Sequence, residues 1–327
     1  MMTNNHLNNA KRDRQDEFYT PMHYIEDELE YYKELFKDKV IYCNCDNPRK
    51  SNFFKYFLKN FNKFGIKRLI STYYEAAPNI FEMMTMTKIE KAYMTEINRV
   101  DDIIDLDHLL QFEENKQTQL KGTGDFSSRE CREILNICDI VVTNPPFSLF
   151  GEFIDVLIDA NKDFIVIGNT NAITYRNVFK YIIENKMTTG YTNFNNGMWF
   201  VIPSDSEEYH KIVDGKKMAR VSASCWYTSF PIDKNNEFIE LVNTYNEKDY
   251  PKYDKYDAIN VSSISNIPKD YYGVMGVPKT IVGRYNPKQF KIVGELNHGR
   301  DNEYDYATPT INGEELFGRV LIQRVDI

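Results

Sequence analysis

Apolar positions recur along this chain at two periods, and their alternation predicts an α/β fold. Met22, Ile25, Leu29, Tyr32 and Phe36 keep helical spacing, which predicts a helix with one buried face. Val40-Ile41-Tyr42-Cys43-Asn44-Cys45 reads as a first strand. Asp46-Asn47-Pro48 follows as an N-cap with proline in the first helical turn. Phe53, Phe54, Phe57, Leu58 and Phe61 mark the buried stripe of the helix it opens, and Gly65 ends it. Arg68 to Tyr74 is a second strand with Glu75 at its end. Residues 76–115 show no clean period. Gln117 to Leu120 reads as a third strand, and the turn Gly122-Thr123-Gly124-Asp125-Phe126 sets an acid at its end. Ser127 and Glu130 form a capping box for the next helix.

The stretch Asp139-Ile140-Val141-Val142-Thr143-Asn144-Pro145-Pro146-Phe147 then predicts a short buried strand broken by two prolines. A helix capped by Ser148 runs to Ala160, and Phe164 to Gly168 is the next strand. Another helix follows Thr174 to about Lys186. Trp199 to Pro203 and Ser224 to Thr228 read as two strands, with Asp214-Gly215 between them as a hairpin signal. Strand and helix alternate at βαβ lengths, so the sheet is expected to be mostly parallel and doubly wound. Past Pro231, Tyr, Asn, Gly and Pro become frequent. The expected organisation is a polar arm over 1–15, a main domain over 16–232 and a smaller C-terminal region over 233–327.

Composition narrows the class. The chain has 327 residues, 42% hydrophobic and 27% charged, as globular soluble proteins do. No apolar run is long enough to span a membrane, and the first residues lack the apolar segment of a secretory signal. Five cysteines without CxxC spacing point to a reduced, cytoplasmic protein. Cys43 and Cys45 alternate on a strand and so face opposite sides, which suits small core residues better than a metal pair. The five histidines form no ligand pattern, so no metal is expected. The net charge of −8 counts mildly against a nucleic-acid partner, yet two basic patches stand out. Lys11, Arg12 and Arg14 lie in the polar arm. Lys279, Arg284, Lys288 and Lys291 lie in a stretch free of acids between Asp270 and Glu295. Either patch also fits a plain solvated surface.

The chemistry is expected at strand ends, where open α/β sheets bind ligands. Asn144 offers an amide, the prolines a rigid loop with free carbonyls, and Phe147 an aromatic face. That set suits a planar base with an exocyclic amine, although Asn-Pro-Pro alone is also a common turn. No Gly-x-Gly-x-x-Gly follows the first strand, and no Walker loop exists. What remains is the series Asp46, Glu75, Asp125 and Asn144 at successive strand ends. Acids there can take an amine, a ribose and an adenine amine, which are the groups of S-adenosylmethionine.

Several ordered blocks carry a family resemblance: Asp16 to Thr20, Tyr42 to Arg49, Ser51 to Phe57, Gly124-Asp125-Phe126 and Asp139 to Phe150. Ile173-Thr174-Tyr175, Tyr253 to Val261 and Gly273 to Pro278 continue it. The chain resembles the EcoRI-type adenine-N6 DNA methyltransferases. The resemblance fails over 76–115 and thins over 188–225 and after 294. It implies a class I S-adenosylmethionine-dependent methyltransferase fold with a C-terminal DNA-recognition region. It also implies that Phe18, Tyr19 and Thr20 line the donor, the latter two at its methionine end. Asp46, in the loop with Pro48, would bind the donor's amino group, Glu75 its ribose, and Asp125 with Phe126 its adenine. Asn144, Pro145, Pro146 and Phe147 would be catalytic. Lys11, Arg12, Arg14, Lys279, Arg284, Lys288 and Lys291 would contact double-stranded DNA, with base reading expected in 190–225 and the tail from 279. A monomer is expected; the sequence leaves open whether a cognate restriction endonuclease acts separately. Methyl transfer to RNA or protein glutamine, or a non-catalytic DNA-binding role on the same scaffold, also stay open at this stage.

Overall fold

The computed structural model describes residues 19–73, 91–194, 196–204, 206, 208–298 and 303–325. Contacts divide the chain into two compact units. The first holds the described residues up to Thr170 together with Tyr191–Thr228; the second holds Asn171–Gly190 and the described residues from Ser229 on. Segment 171–190 thus goes with the second unit, whereas a boundary near 232 in the sequence leaves it in the first. No helix among the described residues is long and apolar enough to cross a membrane.

The first unit is built on a mixed sheet. Its strands are β1 (Val40–Cys43), β2 (Arg68–Tyr73), β3 (Tyr93–Ile97), β4 (Lys116–Gln119), β5 (Ile140–Thr143) and β6 (Asp163–Asn169). Three more strands, β7 (Met198–Val201), β8 (Lys211–Val213) and β9 (Lys216–Val221), precede β10 (Ser224–Thr228). Seven of these run in the order β4-β3-β2-β1-β5-β6-β10. β1 pairs in parallel with both β2 and β5, and β5 with β6. The pairs β2–β3, β3–β4 and β6–β10 are antiparallel. The expectation of a mostly parallel sheet is corrected accordingly: the parallel core is four strands wide, and antiparallel additions flank it. Antiparallel neighbours need no crossover helix, so the irregular sequence around them gave no βαβ signal. Strand order reverses between β1 and β5, which makes their carboxyl ends the topological switch point of the sheet.

Helices follow the strands. Helix α1 (Met22–Leu29) continues as a 3₁₀ stretch, Glu30–Phe36, and buries Ile25, Leu29, Tyr32 and Phe36 as its spacing predicts. Helix α2 (Asn52–Phe64) buries Phe53, Phe54, Phe57, Leu58 and Phe61, and Gly65 closes it at φ 64°. Helices α3 (Arg129–Ile137) and α4 (Phe150–Asp159) flank β5 in sequence.

Three caps differ from expectation. Ser51, not Asp46, caps α2 by accepting from the N–H groups of Phe53 and Phe54. Ser128, not Ser127, caps α3 through the Cys131 N–H, and the Glu130 carboxylate accepts from Lys121 and Gly122 instead. Ser148 lies in a 3₁₀ turn, Phe147–Leu149, and α4 starts at Phe150 without a side-chain cap. The Trp199 and Ser224 strands are not a hairpin pair. β7 pairs with β9 and β10 with β6, while Asp214 and Gly215, both at positive φ, turn β8 into β9.

The second unit contains helix α5 (Arg176–Ile183) and a four-stranded sheet. That sheet is formed by β11 (Ile259–Asn260), β12 (Met275–Pro278) and β13 (Phe290–Leu296). Two-residue strands β14 (Thr310–Ile311) and β15 (Glu314–Glu315) precede the last member, β16 (Arg319–Arg324). Tyr253, Ala258, Leu296 and Leu321 centre its core.

Candidate active site

The site grows from the ends of β1 and β5. Both strands are buried along their whole length, so the chain can meet a ligand only where they stop. β1 ends in a sharp turn: Cys45 takes φ 62°, a left-handed conformation uncommon outside glycine. The turn lowers Asp46 into a cradle of hydroxyls. Ser51 Oγ donates to Asp46 Oδ1 at 2.6 Å, and Ser71 Oγ donates to its backbone carbonyl. Thr143 Oγ1, at the end of β5, stands 2.6 Å from Asp46 Oδ2 and 2.5 Å from the Asn44 carbonyl. Thr143 therefore ties the two strand ends together one residue before Asn144. Behind them Asn44 is buried, and its Oδ1 accepts from Thr72 Oγ1, which in turn meets Tyr42 Oη.

Burial raises the Asp46 carboxyl to about 6, against the pull of the Ser51 and Thr143 hydroxyls. The geometry is consistent with that. Thr143 has one proton for two acceptors, the Asn44 carbonyl and Asp46 Oδ2. A hydroxyl shared with the Asn44 carbonyl stabilises the carboxylate only in part, so burial prevails. No cation is among the groups that shift it. A desolvated carboxylate without a counter-charge is a receptor for an ammonium.

The Asp125 turn is set by Gly124. Its φ is 79°, and a Cβ there would lie 2.5 Å from the Tyr73 carbonyl at the end of β2. Asp125 Oδ1 accepts from the Ser127 N–H at 2.8 Å and from Ser127 Oγ at 2.5 Å, which fixes the carboxylate on its turn. Asp46 and Asp125 both push the Cys45 thiol upward, after burial, so the two acids share one neighbourhood. Phe126 is buried edge-on to Phe153 at 5.1 Å and anchors the turn from below.

Tyr19 and Thr20 reach the same unit through β7. Tyr19 and Val201 exchange backbone hydrogen bonds at 2.8 and 3.0 Å, and Asn52 donates to the Thr20 carbonyl. Thr20 is buried, and its Oγ1 has no hydrogen-bond partner among the described residues. Phe200, on β7, meets Phe147 edge-on at 6.0 Å. Phe147 is only 4% exposed, so its ring face is not open to solvent in this conformation.

Of the expected donor-site residues, Tyr19 and Thr20 run beside β7, Asp46 stands at the end of β1 tied to Thr143, Pro48 lies in the loop before α2, and Asp125 and Phe126 lie on the Gly124 turn against the end of β2. Phe18, Glu75, Lys11, Arg12 and Arg14 lie outside the described residues. In the second unit Arg284, Lys288 and Lys291 are exposed. Lys279 is half-buried, with its Nζ 2.9 Å from where a Cβ on Gly318 would stand. Sequence reasoning missed Thr143, Ser51 and Ser71. A β-branched residue at a strand end, a serine before a helix and a serine within a strand are too common to signal a carboxylate cradle.

The chain was compared with known proteins. A family model described as "Adenine-specific methyltransferase EcoRI" matches residues 6–324. The chain belongs to the EcoRI adenine-specific methyltransferase family. Among its relatives is the Type II methyltransferase M.EcoRI of Escherichia coli, 40% identical over 98% of this chain and 97% of that protein. The Type II methyltransferase M.MgeORF184P of Mycoplasma genitalium is 37% identical over 98% of this chain and 99% of its own length. M.MpnI of Mycoplasma pneumoniae is 34% identical over 88% and 85%. No solved structure matches. As a member of this EcoRI family the protein is an enzyme, an adenine-specific methyltransferase.

Proposed function

We propose that the protein transfers a methyl group from S-adenosylmethionine to the N6 amine of an adenine flipped out of a specific duplex DNA sequence. The role is that of a modification methylase in a restriction-modification or related system. The observation that carries this reading is the hydroxyl-cradled Asp46 tied through Thr143 to the Asn144-Pro145-Pro146-Phe147 loop at the sheet's switch point. The residues fit the donor. Asp46 supplies an anionic acceptor where no cation of the described residues competes, and Asp125 is an acceptor held on a rigid turn for the donor's adenine. Buried Thr20 Oγ1, without a partner among the described residues, is free to bond the methionine end. Glu75 on the ribose and Phe18 on the donor complete the reading, with the class I methyltransferase fold as its frame.

S-adenosylmethionine supplies a methyl on a sulfonium, which leaves as a neutral thioether. Asn144 Oδ1 and the Pro145 carbonyl each accept one N6 hydrogen, which orients the amine lone pair for in-line attack. Holding two reactants in register can supply about 7–11 kcal/mol. Flipping the base costs a few kcal/mol, and stacking on an aromatic ring returns about 1–3 kcal/mol. Phe147 reaches a base only if its ring turns out of its contact with Phe200. The amine nitrogen becomes acidic as it gains the methyl, so no histidine is needed to deprotonate it first.

The second unit is read as the DNA-recognition region, with Arg284, Lys288 and Lys291 on phosphates and Lys279 less free to reach them. The protein is read as a monomer in a reducing cytoplasm, in keeping with its five free thiols. Methyl transfer assayed side by side on duplex DNA, RNA and protein tests the substrate class. Label appearing only in duplex DNA supports the proposal; label in RNA or on glutamine overturns it.

A further inference from the structure

The small sheet of the first unit has a face that the catalytic reading does not use. β9 is central in the order β7-β9-β8. Its register places Met218 opposite Val201 and Lys211, Arg220 opposite Trp199, and Lys216 opposite Val213. Side chains directly opposite share a face and alternate ones face away. One face therefore carries Trp199, Val201, Lys211, Val213, Lys216, Met218 and Arg220: three cations and no acid. The other carries Phe200 and Ala219, which are buried, and Phe200 meets Phe147.

Among the described residues the cations on the first face lack anionic partners. No ion pair among the described residues includes Lys211, Lys216 or Arg220. Lys211 Nζ sits 3.8 Å above the Trp199 ring, and the Arg220 guanidinium donates to the Asn196 carbonyl at 3.1 Å. Lys216 stands close enough to Lys55 on α2 to help depress that amine, after burial, so like charges are gathered here in a protein of net charge −8. The only acid between Tyr209 and Val221, Asp214, is taken up by the β8–β9 turn. Grouping cations costs Coulomb energy that a polyanion relieves. Lys216 and Arg220 are four residues apart on one strand, roughly 13 Å, a span that covers several phosphates of a DNA strand.

We infer that this face of the β7-β9-β8 sheet is a docking surface for duplex DNA, with Lys211, Lys216 and Arg220 on backbone phosphates flanking the target adenine. The inference rests on the DNA-methylating reading above and assigns it a specific surface. These contacts set position on the duplex and carry no sequence information. The connection to the chemistry is mechanical: the opposite face of the same sheet meets Phe147 through Phe200, and the β7 backbone pairs with Tyr19 at Val201. A duplex seated here is registered against the catalytic loop across one sheet.

The test is duplex binding of the full-length protein over a salt series, using a random-sequence duplex because the contacts are sequence-independent. The variant is Lys211→Gln with Lys216→Gln and Arg220→Gln. These side chains are on an exposed sheet face, and an unchanged thermal melt and unchanged S-adenosylmethionine affinity by calorimetry confirm the fold. Each phosphate contact contributes about 0.9 to the slope of log K against log salt, so the triple variant is expected to flatten the slope by about 2–3. Affinity at low salt should fall at least tenfold. Trp199 gives a second readout: saturating duplex should change the emission of the wild type and not that of Trp199→Phe. An unchanged slope and affinity in the triple variant, with wild-type binding intact, overturns this surface while leaving the methylation reading standing. A wild type that shows no salt-dependent duplex binding overturns both. Preferential binding of single-stranded RNA at this face also overturns it.

Discussion

Lowering the pH from 7.5 to 5 should weaken donor binding about tenfold, and Asp46 is the reason. Its carboxyl is raised to about 6 by burial, so the free protein carries a proton there below that pH. The donor's ammonium needs the carboxylate. Binding then competes with protonation, and the apparent dissociation constant scales as one plus the protonated-to-ionised ratio. That factor is near one at pH 7.5, about two at pH 6 and about ten at pH 5. Above about pH 8 the donor's α-amino group loses its own proton, so affinity should fall on that side too. The sign carries over to stability. A carboxyl whose folded value is raised contributes stability that is present at low pH and is lost as pH rises through about 6, and bound donor should restore it. The assay is calorimetric titration of S-adenosylmethionine between pH 5 and 8.5 in two buffers of different ionisation enthalpy, which also counts the proton released. Asp46→Asn should abolish the acid limb and weaken binding at pH 7.5 by about 10- to 150-fold, the worth of one charge-assisted hydrogen bond. Thr143→Val removes a hydroxyl that pulls the carboxyl down, so the midpoint should move above 6. Affinity that is flat from pH 5 to 7 in the wild type would refute the assignment of Asp46 to the ammonium.

Three further outcomes follow from the same geometry. Gly124→Ala should destabilise the protein by at least 1–2 kcal/mol and weaken donor binding, because a Cβ at φ 79° meets the Tyr73 carbonyl; an unchanged melting curve and affinity would count against the turn as the holder of Asp125. Phe147→Ala should reduce fluorescence of a 2-aminopurine placed at the target more than Phe147→Tyr does, and equal loss in both argues against stacking. Glu28 is buried, and its carboxylate accepts from Tyr32 Oη, the Tyr191 and Thr192 N–H groups and Thr192 Oγ1. Glu28→Ala strands those donors and should cost about 2–4 kcal/mol of stability, read as a drop in denaturant midpoint; a loss under 0.5 kcal/mol contradicts it.

What the sequence revealed and what it hid have physical causes. The Val40 and Ile140 strands were legible because they are buried on both faces and read as unbroken apolar runs. Gly65 was legible because a left-handed cap leaves a glycine. β3 was not. Thr95 and Glu96 are buried within it, and Glu96 is held by Arg68 at 3.3 Å and Lys116 at 3.4 Å from the strands on either side. A polar pair at core positions erases the alternation that marks a strand. The three displaced caps teach a second lesson. Asp46 and Ser127 look like cap residues, yet Asp46 is held by the Ser51 and Thr143 hydroxyls, and Ser127 is drawn onto Asp125. Local rules fail where residues serve a site. Asp46, Asp125 and Asn144 were singled out because they stand in chain order where strands are read to end. Their supports, Thr143, Ser51 and Ser71, appear only once β1, β2 and β5 are side by side.

The central claim is that Asn144 holds an adenine amine beside a donor bound at Asp46. It is tested most directly by nucleoside mass spectrometry of duplex DNA after incubation with methyl-labelled S-adenosylmethionine, for wild type and Asn144→Ala. The account predicts labelled N6-methyladenine with the wild type, none with the variant, and donor affinity in the variant within about twofold of wild type. Labelled N6-methyladenine at an undiminished rate from Asn144→Ala would contradict it.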